Sequence, residues 1–358
     1  MADAPFTADH RLVRGWLFAV AGLIFVMVLV GGTTRLTGSG LSIVEWQPVT
    51  GVIPPLSEEA WRLEFEKYKT IPQYREQNQG MTLDAFKSIY WWEWAHRLLG
   101  RIIGVAFIVP FVFFLWRGWI DKQLQVKLWG IFALGALQGL IGWWMVTSGL
   151  SQRVNVAHER LAIHLTLACL IYAAILWVAQ GLRTAGAAVV SAGFRATALG
   201  LLALVMLQIY LGALVAGLRG GLIYNTWPLI DGAWVPAAER LFFLKPLWSN
   251  FFDNVLTVQF AHRMAAYALW LLAIGHAIHA AKTADRTAFN LALALAAAIT
   301  LQAGIGIITL LHAAPPLLAL LHQGMAIVVL SLAVVHAQRL AAAGRRAEAA
   351  VTPLASRS

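Results

Sequence analysis

Apolar residues run along this chain in eight stretches, separated by short polar segments and two long ones. The stretches lie at roughly 15–33, 89–116, 128–147, 160–180, 196–217, 255–280, 289–311 and 317–338. Each is close to the ~20 residues a helix needs to cross a bilayer, which predicts an all-α integral membrane protein with eight transmembrane helices. The long polar segments are 34–88 and 218–254. Within the first, the charged run from Glu58 to Arg75 predicts a short interfacial helix or a solvated cap. Trp46, Trp61, Trp91, Trp92, Trp94, Trp227, Trp234 and Trp248 lie in or beside these segments, where an aromatic belt at the membrane surface is expected.

Composition agrees with this pattern. Of 358 residues, 59% are hydrophobic and 12% charged, against about 25% charged in a soluble domain. The net charge of +10 does not point to a nucleic-acid partner, because Lys and Arg in a polytopic protein first report orientation. They are densest in 1–14, 117–127, 181–195, 281–288 and 339–358, while most acidic residues fall in the alternating segments. That bias predicts both termini inside. The first apolar stretch runs into Gly31-Gly32-Thr33-Thr34-Arg35, which is part of a repeat, so it is expected to be retained and not cleaved as a signal peptide. The single cysteine, Cys169, allows no intramolecular disulfide and no cysteine-based metal cluster.

The chain repeats itself. Gly31, Gly40, Leu41, Trp46 and Gly51 match Gly212, Gly221, Leu222, Trp227 and Gly232 without gaps. Ala95-His96-Arg97 matches Ala261-His262-Arg263. Leu137, Gln138, Ile141 and Gly142 match Leu301, Gln302, Ile305 and Gly306, and His164 matches His322. Four stretches per half give both halves the same orientation, a parallel repeat. The expected organisation is a tail at 1–14, a four-helix bundle at 15–180, a linker at 181–195, a second bundle at 196–338 and a tail at 339–358. The tail's Ala- and Arg-rich composition reads as disordered.

Four histidines, His96, His164, His262 and His322, sit about five to seven residues inside the outer ends of their stretches, roughly 8–11 Å deep. Histidine is costly in a bilayer, so four at one depth require a common cause. Neutral imidazoles facing each other across a helical bundle suit the axial positions of haem iron. Zinc would need three or four ligands close together, which the available acids and cysteine do not supply. His276, His279, His336 and His10 are read as packing or interfacial residues. His158 and His312 lie at outer boundaries and have no counterpart in the other half.

Arg97 and Arg263 follow the paired histidines and can snorkel toward the surface or meet haem propionates there. Arg101 adds a third basic group in the first half. The halves differ at one informative place: Glu93 stands one turn outside His96, where the second half has Gln259. An acid beside one pair and an amide beside the other suggests that the first pair performs chemistry and the second holds a cofactor. Glu93 is the candidate catalytic residue, as a proton acceptor or as a charge that stabilises positive charge developing on a substrate.

Gly31-Gly-Thr-Thr-Arg-Leu-Thr-Gly-Ser-Gly-Leu-Ser-Ile, Glu45-Trp-Gln-Pro-Val-Thr-Gly-Val-Ile-Pro-Pro, Tyr90-Trp-Trp-Glu-Trp-Ala-His-Arg, Asn225-Thr-Trp-Pro-Leu-Ile-Asp-Gly and Leu321-His-Gln together resemble the haem A synthase family. The likeness is to its alphaproteobacterial and mitochondrial branch and extends from about residue 14 to 338. The resemblance implies oxidation of a ring methyl of haem O to a formyl group, giving haem A for terminal oxidases. It implies haem b as cofactor on His262 and His322, and haem O as substrate held by His96 and His164 with Glu93. It also implies a multi-pass place in the bacterial inner membrane, with the haem sites toward the periplasm. Haem O synthase, oxidase assembly factors and membrane lipid are the implied partners, and self-association is left open. Another branch carries a cysteine pair in its outside loops, and Cys169 cannot replace it. Two rival readings use the same features: a di-haem b-type cytochrome passing electrons from quinol to a partner, and a transporter.

Overall fold

The computed structural model describes residues 8–151, 153–183 and 190–351. Eight of its helices are long and apolar enough to cross a membrane. They are α1 (Ala8–Leu36), α2 (Leu83–Trp116), α3 (Lys122–Thr147), α4 (His158–Gly181), α5 (Ala192–Gly217), α6 (Val255–Thr283), α7 (Arg286–Leu311) and α8 (Pro316–Val351). Among the described residues no β-strand forms.

Most of these helices start a few residues before the apolar stretch, because polar caps rather than hydropathy set their ends. Thr82, Asp121, Ser191, Asn254 and Asp285 each accept a backbone N–H of the first turn of α2, α3, α5, α6 and α7. Such caps contribute about 1 kcal/mol each. At the other end, α8 continues to Val351, where a disordered tail was expected. Alanine and arginine are strong helix formers, and the segment simply propagates the helix before it. Residues 352–358 lie outside the described residues.

The helices pack in two rings that share an interface. α1 packs on α2 and α4, and α3 on α2 and α4; α6 packs on α5 and α7, and α8 on α5 and α7. The histidine-bearing helices of each ring, α2 with α4 and α6 with α8, therefore stand diagonally across from each other. α1 and α4 also pack on α8, and α4 on α5, so one apolar cluster joins residues such as Leu17, Phe111, Ile175, Leu201 and Leu330. Lipid is as apolar as these side chains, so close packing rather than expulsion from water holds the helices together. The opposite faces stay bare: Val105, Val109 and Val112 of α2 recur at helical spacing and are about half exposed, a lipid-facing stripe.

The first long segment is a packed lid. Helices Glu58–Lys69 and Pro72–Gln77 form within it, and the amphipathic first one turns Trp61, Phe65 and Tyr68 inward. These rings meet the outer turns of α2, with Phe65 4.9 Å from Phe86 and Trp61 4.9 Å from Tyr90 between centroids. Trp61 is thus a core residue of the lid, unlike the membrane-belt tryptophan expected. On the lid's polar side, burial opposes the charge of Lys67, but the hydrogen bonds it donates to Glu64 and Glu45 outweigh this and raise its pKa. The second long segment is tied down by Asn250 and Asn254, whose amides bond the carbonyls of Leu244, Leu247, Arg240 and Leu241.

Candidate functional site

Each of the four histidines is half-buried and lies against a glycine on the spanning helix that precedes its own. A Cβ at Gly142, Gly212 or Gly306 would come within 2.9, 3.1 or 2.7 Å of Cε1 of His164, His262 or His322. At Gly31 it would come within 3.2 Å of His96 Nε2. The glycines allow the imidazoles to lie flush with the neighbouring helix; a side chain at Gly142 or Gly306 would displace the ring, while at Gly31 or Gly212 the ring would have to give by a few tenths of an ångström. The helices that carry His96 and His164 share one ring and those that carry His262 and His322 the other, as the two expected pairs require.

The remaining histidines are occupied elsewhere. His276 and His336 bond to each other through Nε2 at 2.8 Å, about 21 Å inward of His262 and His322 along their helices. Thr197 Oγ1 meets His276 Nδ1 at 2.8 Å, and Phe194 stacks on the His276 ring at 4.3 Å. No slot for a macrocycle separates them. His158 faces Asp253 at 3.1 Å, and His312 Nδ1 lies 2.8 Å from the Ile308 carbonyl at the end of α7.

Glu93 is buried and fully engaged. Its Oε1 accepts from Arg97 Nη2 at 2.6 Å and Nε at 3.0 Å. Its Oε2 accepts from Ser42 Oγ at 2.8 Å and the Ile43 N–H at 2.9 Å. A carboxylate offers about four lone-pair sites, and here all are used. As arranged, Glu93 is a fixed negative charge one turn from His96, with no acceptor site free to take a proton. Arg97 also donates to the carbonyls of Ile43 and Glu45, so the pair anchors the start of the lid. Arg101 does the same one turn further in, donating to Pro48 and Gln47 carbonyls. A cavity of about 170 Å³ lies between the lid and α2, with Arg97 and Arg101 in its wall.

The second half repeats the architecture without the acid. Gln259 is equally buried and donates to the Tyr224 carbonyl at 3.0 Å. Arg263 donates to the carbonyls of Thr226, Tyr224 and Leu229. Its Nε is buried without a partner, and no carboxylate pairs with it among the described residues. Arg97 is thus paired with a carboxylate, whereas the bonds of Arg263 go to carbonyls.

Three observations fit a haem between each pair. The donors are imidazoles, the usual axial ligands. Glycines clear the space around the rings. Buried polar atoms stand without partners at these sites: His322 Nδ1, Arg263 Nε and the Oε1 atoms of Gln138, Gln208 and Gln302. Among the described residues no cluster of three or more His, Cys, Asp or Glu could hold a bare metal ion.

Residues missed at the sequence level are Ser42 and Ile43, which hold Glu93, and Gln208, which touches His262. The usable signal for the latter was a glutamine four residues before the glycine in three of the four preceding helices.

One consequence concerns Gly306. An alanine there would meet His322 at a distance Cβ atoms essentially never show, and overpacking of this kind costs about 1–3 kcal/mol. Gly306→Ala is expected to turn the His322 ring and lower the haem content of purified protein, measured by absorbance per mole of chain. Gly31→Ala, with its longer contact, is expected to leave that content unchanged. Equal haem content in all three proteins would contradict the seating of His322 on Gly306.

A family model described as cytochrome oxidase assembly protein matches residues 14–334. The chain is 62% identical over 332 residues to a Heme A synthase of Rhodopseudomonas palustris (strain HaA2), covering 93% of this chain and 91% of the relative. It is 57% identical over 357 residues to a Heme A synthase of Bradyrhizobium sp. (strain BTAi1 / ATCC BAA-1182), covering 99% and 98%. A Heme A synthase of Bradyrhizobium diazoefficiens is 59% identical over 339 residues, covering 95% and 94%.

Proposed function

The chain belongs to the cytochrome oxidase assembly family that includes the Heme A synthases, and from that premise we propose that it makes haem A by oxidising a ring methyl of haem O to a formyl group. The observation that carries this reading is a broken symmetry. Two histidine pairs have matching glycine seats, yet one has a buried carboxylate beside it and the other an amide.

In this reading the N-terminal four helices, 15–180, hold the substrate haem O on His96 and His164. The C-terminal four, 196–338, hold haem b on His262 and His322. Bound there, haem b supplies one-electron redox chemistry. Arg263, with its unpartnered Nε, is suited to a propionate of that haem. Arg97 is already matched by Glu93. Both termini face the cytoplasm of a bacterial inner membrane, and the histidine pairs lie toward the periplasmic side.

Replacing a methyl by a formyl group removes two hydrogens and adds one oxygen at the same carbon, a four-electron oxidation whose electrons pass to an external acceptor. Positive charge develops on the macrocycle's edge as electrons leave it, and a fixed carboxylate stabilises such charge without any rearrangement of its own. Of the two roles open to Glu93, the filled hydrogen-bond shell favours this one over proton acceptance. The glycine seats hold the ligating rings, and the lid anchored by Arg97 and Arg101 limits water above the first pair.

The experiment is to express this chain in membranes supplied with haem O and to separate the extracted haems by chromatography. Haem A is expected. Haem O and haem b alone, with no haem A, would favour the electron-transfer reading.

A further inference from the structure

The four histidine seats are alike in their glycine and unlike in the residue one turn before it. In three, that residue is glutamine: Gln138 before Gly142, Gln208 before Gly212 and Gln302 before Gly306. Each glutamine Nε2 donates to the backbone carbonyl of its histidine, at 3.0, 3.1 and 3.0 Å for His164, His262 and His322. The same amide nitrogen lies against the ring, 3.2 and 3.4 Å from His164 Nδ1 and Nε2 and 3.1 and 3.3 Å from His262 Nδ1 and Nε2. It stands 3.5 Å from His322 Nε2. In all three, Oε1 is buried and unpartnered.

The fourth seat has Met27 before Gly31. Its thioether supplies no N–H, and among the described residues no side chain hydrogen-bonds the His96 ring. The ring is also turned. It presents Nε2 and Cδ2 to Gly31, where the other three present Cε1 to their glycines.

We propose that Gln138, Gln208 and Gln302 are positioning residues that set the ring orientation of three haem ligands, and that Met27 leaves His96 unset as the exchangeable ligand. This inference rests on the reading that His96 and His164 hold the substrate. A resident cofactor gains from two braced ligands. A substrate that must leave as product gains from one braced and one free. An amide fits the bracing role because it is tied by Nε2 to the histidine's own backbone. The same nitrogen rests against the ring in all three, so the amide links the place of the imidazole to the histidine's own backbone. Partners of this kind fix tautomer and orientation, and their loss typically costs 10–100-fold in affinity.

The test uses the full-length chain purified with its haem b, titrated with haem O and followed by the shift of the Soret band. Met27→Gln supplies the missing amide and is expected to tighten haem O binding by roughly 10–100-fold. Gln208→Met is expected to loosen haem b to the same degree and to shift its low-spin electron paramagnetic resonance signal and reduction potential. A helix-packing role alone would move stability but not these signatures. Unchanged haem O affinity in Met27→Gln, or an unchanged haem b signal in Gln208→Met, would overturn the proposal. Failure of the unsubstituted chain to bind haem O would instead overturn the underlying assignment of the first pair. Met27 is only partly buried, so its variant reports even if Gln208→Met does not fold.

Discussion

Protein carrying His262→Ala or His322→Ala is expected to purify without its low-spin b-type spectrum. Loss of the coordinating nitrogen removes an axial bond outright, so the effect should exceed the ~10–100-fold typical of losing a residue that merely supports a ligand. The neighbouring seats argue that alanine cannot be compensated. Gly212 and Gly306 present no side chain to these rings, and the glutamine amides beside them are tied to backbone carbonyls. His276→Ala is the matched control. That residue lies in the same helix, about 21 Å inward, and bonds to His336. Its loss leaves His336 unpaired, a cost of about 1–3 kcal/mol, but should leave the spectrum intact. A normal low-spin spectrum in either of the first two variants would sink the assignment of haem b to this pair.

Glu93→Gln is expected to fold, to keep haem b and to lower haem A output by about 10²-fold, the range for removing one preorganised electrostatic group. Folding is a concern for most substitutions of this type, because breaking a buried ion pair costs about 3–5 kcal/mol. Here the second half of the chain supplies the precedent. Gln259 and Arg263 hold the positions of Glu93 and Arg97, are buried, and bond only to carbonyls. Glu93→Gln converts the first site into a copy of the second, so it removes charge while keeping shape. Haem A output equal to that of the unsubstituted chain would show that Glu93 serves only to anchor Ser42, Ile43 and Arg97.

Much of this was legible in the order of residues. The apolar stretches marked all eight long helices, since bilayer thickness imposes a length that hydropathy reveals directly. The four histidines stood out because polar groups are rare at that depth. The hydrogen-bond shell of Glu93 was not legible. Ser42 and Ile43 lie some fifty residues away along the chain, and only the fold of the lid brings them there. Gln208 escaped notice for a different reason: its repeat partner is Met27, so comparing halves for identity hid the position where they diverge. The lid's inward-facing Trp61 and the helical end of α8 depended on tertiary packing and on propagation from a preceding helix. Neither is visible to a surface-belt or composition argument.

The central claim is a division of labour between two histidine pairs, and mass spectrometry of haems extracted from membranes supplied with haem O tests it most directly. With the unsubstituted chain, a product heavier than haem O by one oxygen and lighter by two hydrogens is expected. With His96→Ala, that product should vanish while the b-type spectrum of the purified protein persists. The same product in the His96→Ala membranes, or loss of the b-type spectrum from that variant, would contradict the account.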